Sequence, residues 1–198
     1  MPIYIRPEKA ADTARIAEVT EMAFRHAAHT CGREHSLVEA LRAAGALAAS
    51  FVAVSDREIV GHVAASPVRL SESAGDWFGI GPISVLPQSQ RQGIGSRLMS
   101  SVLLHLRGSG AKGCVLVGDP RFYSRFGFQT DRSLVIPEAP PEVSLSLRFI
   151  ASEDRGTVCF HPAFLAALTE PTAAPNPPVS IPVPPRLSVA LPGKGRTL

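Results

Sequence analysis

Apolar residues recur along this chain at two spacings, alternating in some stretches and falling every third or fourth residue in others. The switches between the two predict an α/β order of elements. Residues 3–6 are β-prone and stop at Pro7, after which Asp12 is placed to cap a helix whose Ile16, Val19, Ala23 and Phe24 share one face. Polar residues 26–33, with Gly32 among them, predict a loop. Ser36-Leu37-Val38-Glu39 has the form of a capping box, opening a second helix that carries Leu37 and Leu41 and ends near Gly45. Residues 50–55 and 58–70 are β-rich on either side of Asp56-Arg57, as a hairpin requires. The polar stretch 71–76 predicts the next turn, which leaves 77–86 as the fourth strand.

Ile94, Leu98, Val102 and Leu106 then repeat at helical spacing until Gly108 and Gly110 end the third helix. Residues 114–117 are apolar without alternation, as in a strand covered on both faces. Asp119 suits an N-cap, Pro120 the first helical position and Gly127 the stop of a short helix. The alternating run 143–149 and the short run 157–160 predict a terminal β pair, and His161-Pro162-Ala163-Phe164 closes the domain. Beyond about Glu170 the chain carries eight prolines and no aromatic residue, a composition that cannot bury a core by itself. The expected division is a folded domain over residues 1–168 and a disordered, Pro-rich tail over 169–198.

The stretch with the most chemistry is Val85-Leu86-Pro87-Gln88-Ser89-Gln90-Arg91-Gln92-Gly93-Ile94-Gly95-Ser96-Arg97-Leu98. A strand that passes through a Gly-rich turn into a helix leaves backbone N–H groups unpaired at the positive end of the helix dipole, where phosphate binds. Gly93 and Gly95 let the backbone approach an anion, and Arg91 and Arg97 add charge beside it. A Rossmann fingerprint needs a third glycine or alanine where this chain has Leu98, and a P-loop needs Gly-Lys-Ser/Thr in place of Gly95-Ser96-Arg97. Just upstream, Gly79, Gly81 and Pro82 interrupt the fourth strand, so its pairing is expected to break there.

Composition narrows the picture only a little. A chain of 198 residues, 45% of them hydrophobic, suffices for one core. Its three cysteines, Cys31, Cys114 and Cys159, show neither disulfide nor zinc spacing, which suits a reducing cytoplasm. No leader or membrane-spanning run is apparent, and no metal is called for. A net charge of +3 neither demands nucleic acid nor excludes an anionic ligand.

Gln90-Arg91-Gln92-Gly93-Ile94-Gly95, preceded by Val85-Leu86-Pro87, resembles the Q/R-x-x-G-x-G/A motif of the GNAT acetyltransferase superfamily. Downstream, Gly118-Asp119-Pro120-Arg121-Phe122-Tyr123-Ser124-Arg125-Phe126-Gly127-Phe128 is similar to the family's second signature, with Tyr four residues before Gly-Phe. Gly79-Ile80-Gly81-Pro82 and Gly113-Cys114-Val115-Leu116-Val117-Gly118-Asp119-Pro120 resemble its YhbS-like branch. The resemblance implies a mixed, mainly antiparallel sheet, splayed between strands four and five and flanked by helices. It implies acetyl-CoA as cosubstrate, held by Ile83, Ser84 and Val85 along the open strand edge and by Gln90, Arg91, Gln92, Gly93, Ile94, Gly95 and Ser96 around the pyrophosphate. Direct acetyl transfer to a primary amine follows, with the Val85 N–H facing the developing oxyanion and Tyr123 protonating the leaving thiolate.

One departure from the family stands out: residues 77–85 contain no acidic side chain, where many members carry a Glu as general base. Glu34, Asp76, His62 and a water chain are the candidates, His62 sharing the parity of Val60 and Ala64 on the third strand. Cys114, in an apolar strand, reads as a buried inert thiol. Two other functions stay open. A catalytically silent acyl-CoA-binding module is suggested by the missing carboxylate; an acetyltransferase acting on charged RNA would want a basic, aromatic-lined face, which the sequence does not display. Nucleic acid and membrane partners are therefore not expected, and a homodimer is left open.

Overall fold

The computed structural model describes residues 2–25, 33–137 and 139–169. In chain order its elements are β1 Ile3–Pro7, α1 Thr13–Phe24, α2 Glu34–Ala43, β2 Ala49–Ser55, β3 Glu58–Leu70, β4 Ser73–Val85, α3 Ile94–Gly108 and β5 Gly113–Val117. There follow α4 Pro120–Tyr123, β6 Gln129–Thr130, β7 Leu134–Val135, β8 Ser144–Arg148, β9 Gly156–Phe160 and α5 Pro162–Thr169. The strands line up as β1-β2-β3-β4-β5-β8-β6. Within that path β4 and β5 are parallel and the other neighbours antiparallel. The parallel pair is joined through α3, as a parallel connection requires.

Helices cover both faces of this sheet. A Cβ on Gly61 of β3 would meet Leu98 and Ile94 of α3 at 3.1 and 3.3 Å, so Gly61 faces α3. The next residue, His62, points to the other face, where Thr20 of α1 bonds Ser84, the residue opposite His62 on β4. The main core lies between, with Ile16, Val19, Val52, Val63, Leu98, Met99, Val102 and Leu106 all buried.

Several boundaries differ from those the sequence predicts. Helix α2 begins at Glu34, and Ser36 sits inside its first turn instead of capping it. Leu37 N–H already bonds Arg33 C=O at 3.0 Å, and the acidic Glu34 suits the helix start. Asp12 ends a 3-10 turn, Ala10–Asp12, and gives α1 no side-chain cap. Its carboxylate instead reaches back to Lys9 N–H at 2.7 Å and to Arg6 at 2.6 Å. Strand β4 starts at Ser73, not Trp77, because Ser73 pairs with Leu70 across a tight hairpin that uses only Ser71 and Glu72.

The predicted terminal β pair does not form. Strand β8 is taken up by β5 and β6, while β9 pairs antiparallel with Val68–Leu70 of β3 and parallel with β7. β3 is the reason: it runs on past the point where β2 leaves it, at Ala49↔Ala65, and its freed edge accepts β9. His161-Pro162-Ala163-Phe164 leads into α5. Phe164 stacks on Phe160 at 4.4 Å, and Ala167 joins Leu37 and Leu41 of α2 in a separate cluster. The predicted loop 26–33 and tail 169–198 lie outside the described residues except for Arg33 and for Thr169, the last residue of α5. Among the described residues no helix is long and apolar enough to cross a membrane.

Candidate active site

Strand β4 is paired on both sides at its start and on one side at its end. It meets β5 only at Trp77, Phe78 and Gly79, whereas pairing with β3 resumes at Ile83 and runs through Ser84 to Val85. Between these stretches the β3 register shifts, opposite the cis Gly81-Pro82 bond. Residues 80–85 therefore have an open edge toward β5, the expected splay. Leu86 N–H bonds Val60 C=O of β3 at 2.9 Å. Backbone groups alternate sides along a strand, so Ile83 and Val85 direct theirs to the open edge, and Ser84 directs its own to β3.

The polar turn begins where that edge ends. Gln90 Nε2 donates to Val85 C=O at 3.1 Å, and Gln92 Nε2 to Gln88 C=O at 3.3 Å, so both amides brace the turn from within. Arg91 (φ 61°) and Gly93 (φ 78°) are both left-handed. Helix α3 starts on Gly93 with no side-chain cap, and Arg97 N–H to Gly93 C=O, at 3.0 Å, is an i→i−4 bond of its first turn. The preceding N–H groups, of Ile94, Gly95 and Ser96, have no residue one helical turn back within the helix to accept from them. A Cβ on Gly93 would meet nothing within 4 Å, so open space lies over the turn. The residues present thus fit a bound pyrophosphate, and Arg91 of the turn and Arg97 of the first turn of α3 are exposed.

Helix α4 is brought against this turn by its own capping chemistry. Asp119 accepts from Arg121 N–H at 2.9 Å, Pro120 occupies the first turn, and Gly127 (φ 91°) ends the 3-10 continuation Ser124–Phe126. A Cβ on Gly95 would lie 3.5 Å from the Phe122 ring and 3.9 Å from Val85, so the ends of β4, α3 and α4 converge on one glycine. Tyr123 rests on Gly118 at the end of β5, so closely that a Cβ there would come within 2.3 Å of its ring. Phe122 and Phe128 flank it edge-on, at 4.9 and 5.9 Å. Burial pushes its phenol up to about 12, which keeps the proton on at neutral pH.

The candidate bases are not all brought to this place. Asp76 is exposed at the paired end of β4, nine residues from Val85, which at about 3.3 Å per residue is about 30 Å away. Glu34 lies half-buried in the first turn of α2. His62 is fully buried directly opposite Ser84. Its environment contains groups the sequence reading did not join: Ser50 of β2, Glu8 after β1, Arg42 of α2 and Thr20 of α1. The signal available was parity, since Ser50 shares a strand face with the core residues Val52 and Val54. Cys114 is buried, and desolvation pushes its thiol well up, as expected of an inert position.

With this geometry in view, likeness to known proteins is informative. The acetyltransferase (GNAT) domain family matches residues 46–130. A GNAT family acetyltransferase from Brucella melitensis, solved in complex with acetyl-CoA, is 42% identical, covering 82% of this chain and 98% of that one with a TM-score of 0.73. YhbS from Escherichia coli, solved in complex with CoA, is 29% identical over 82% of this chain and 92% of that chain, TM-score 0.74. Over 97 residues, 48% of this chain, the identity to the uncharacterized N-acetyltransferase YhbS of Escherichia coli (strain K12) is 37%, and that match spans 58% of the relative's length. The protein belongs to the GNAT acetyltransferase family.

Proposed function

We propose that the protein moves an acetyl group from acetyl-CoA to a primary amine by direct transfer. The observation that carries this reading is the open edge of β4, which runs into the uncapped start of α3 with Tyr123 on the far side of the gap. In this reading the N–H groups of Ile94, Gly95 and Ser96 hold the pyrophosphate, with Arg91 and Arg97 beside it. Ile83 and Val85 bind the pantetheine amides as an added strand would. Acetyl-CoA supplies an activated acyl carbon and a thiolate leaving group. The Val85 N–H is aimed where charge develops on the acyl oxygen, and the Tyr123 phenol holds the proton the sulfur takes. The Val85 carbonyl is already bonded to Gln90, which turns that residue's free group toward donation.

The test is thiol release from acetyl-CoA against a panel of amines, wild type beside Tyr123→Phe, with coenzyme affinity measured separately. Loss of the phenol is expected to lower kcat by roughly 100-fold to 10,000-fold at unchanged affinity. A kcat within a few-fold of wild type removes Tyr123 from the mechanism. A second reading, a silent acyl-CoA-binding module, is favoured by the absence of any carboxylate in residues 80–85. It predicts tight acetyl-CoA binding with no thiol release on any amine.

A further inference from the structure

An amine that arrives as an ammonium ion needs a proton acceptor, and the open segment of β4 has no carboxylate to offer. Under α1 and α2, however, one row of polar side chains crosses the sheet. Ser84 Oγ lies 3.2 Å from Thr20 Oγ1 and stands opposite His62. His62 Nε2 is 2.8 Å from Ser50 Oγ, and Ser50 in turn donates to Glu8. The Glu8 carboxylate takes two bonds from the Arg42 guanidinium, each 2.9 Å. Burying such a row is costly unless its members are paired. One atom in it is not: His62 Nδ1 is buried without a partner among the described residues.

The hydrogen bonds decide which nitrogen carries the proton. A carboxylate only accepts, so the single Ser50 hydroxyl proton goes to Glu8, and Ser50 Oγ must accept from the imidazole. His62 is therefore the Nε2–H tautomer, with its lone pair on Nδ1. Directly opposite residues on antiparallel strands have Cβ atoms about 5 Å apart, so Ser84 carries the hydroxyl that neighbours this lone pair; it is buried and bonded to Thr20 here, and it meets Nδ1 by turning away from Thr20.

We propose that His62 Nδ1 receives the proton of the incoming ammonium through the Ser84 hydroxyl, with Ser50 and Glu8 as positioning residues that fix the tautomer and stabilise the imidazolium. This rests on the acetyl-transfer reading above. The ammonium N–H bond breaks as an O–H bond forms on Ser84, whose own proton passes to Nδ1; the result is a neutral amine, an unchanged serine and an imidazolium. The amine then forms the C–N bond as the C–S bond breaks. The sulfur takes the Tyr123 proton, and the surplus amide proton restores the phenol. The His62 proton is released to solvent, so each turnover yields amide, thiol and one proton.

Among the described residues, the charged groups facing His62 are Glu8, from the β1–α1 connection, and Arg42 of α2; α1 and β4 bring the hydroxyls of Thr20 and Ser84 to the same face. Burial holds the imidazole below its ordinary value of 6.5 although Glu8 pulls the other way, so it is neutral at pH 7 and can accept a proton.

The experiment is the pH profile of kcat/KM for the amine, read as thiol release by the full chain, for wild type, His62→Gln, Ser84→Ala and Ser50→Ala. Wild type is expected to be flat from about pH 7 toward the amine pKa near 10 and to fall on the acid side of 6.5. His62→Gln is expected to lose at least about 100-fold at pH 7 and to rise tenfold per pH unit instead, following the free-amine fraction, with acetyl-CoA affinity unchanged. Folded His62→Gln with the wild-type profile overturns the proposal. If His62→Gln does not fold, Ser84→Ala and Ser50→Ala decide, and wild-type profiles in both overturn it equally. Wild-type protein that binds acetyl-CoA but releases no thiol with any amine overturns the acetyl-transfer reading and the relay with it. Thiol release in wild type with an unmoved His62→Gln profile overturns the relay alone.

Discussion

Three glycines near the site do different work, and substitution separates them. Gly93 is held at φ 78°, where an L-residue costs about 1–3 kcal/mol, yet a Cβ there meets open space. Gly95 is helical and a Cβ would touch the Phe122 ring at an ordinary 3.5 Å. The backbone-angle reason for glycine therefore belongs to Gly93 alone. Gly93→Ala is expected to lower both the melting temperature and acetyl-CoA affinity, whereas Gly95→Ala lowers affinity at nearly unchanged melting temperature. Thermal melts and titration calorimetry check this; full affinity in both variants removes the turn from coenzyme binding. Gly118 is a third case, because its missing Cβ makes room for the Tyr123 ring. Gly118→Ala must push that ring aside, so kcat for thiol release is expected to fall by about 10-fold or more with coenzyme affinity retained. An unchanged kcat would mean that the phenol's position is immaterial.

At the scale of elements, what was legible followed local chemistry. Both residues of the Asp56-Arg57 turn have positive φ, 49° and 69°, so the turn has the sign the strand twist favours and the β2–β3 hairpin falls where the alternation placed it. The Asp119-Pro120 start and Gly127 stop of the short helix were equally readable, since capping is a contact between near neighbours. What local patterns could not supply was the partner of a strand. β9 chooses β3 over β8 because β3 outruns β2, a matter of relative lengths across residues far apart in sequence. The same holds for the row from Ser84 to Glu8, whose members come from four separate segments.

The docking of β9 depends on Phe160, which lies over Gly79 of β4 and stacks on Phe164. Removing that half-buried ring, as Phe160→Ala, is expected to cost about 2–4 kcal/mol in a urea unfolding titration. Thiol release per folded molecule should survive it, because the open segment of β4 lies beyond Gly79. A loss under about 0.5 kcal/mol would show that β9 and α5 are only loosely attached to the sheet.

For the whole molecule, the buried and paired ionisable groups make stability a function of pH, and their signs agree. His62 is depressed by burial below its ordinary 6.5, so as pH falls through that value the unfolded chain takes up a proton the native state resists, and stability is lost. Glu8 comes next. Desolvation would raise it, but the nearby His62 ring and the hydrogen bonds from Arg42 and Ser50 win and hold it far below its ordinary 4.5. A carboxyl depressed on folding contributes stability that is fully present above its unfolded value and is lost as pH drops below it. Asp12, lowered by its bonds to Arg6, and Asp131, lowered by Ser133 and Arg148 against desolvation, act in the same sense from their ordinary 3.8. The melting temperature is thus expected to be highest near neutrality, to decline gently between pH 7 and 5, and to drop steeply below about 4.5. Calorimetric scans of wild type, His62→Gln and Glu8→Gln separate the two stages. His62→Gln should flatten the upper stage, and Glu8→Gln should start lower at pH 7 while losing less below 4.5. Parallel curves for all three proteins would mean that the row beneath α1 and α2 does not titrate with folding.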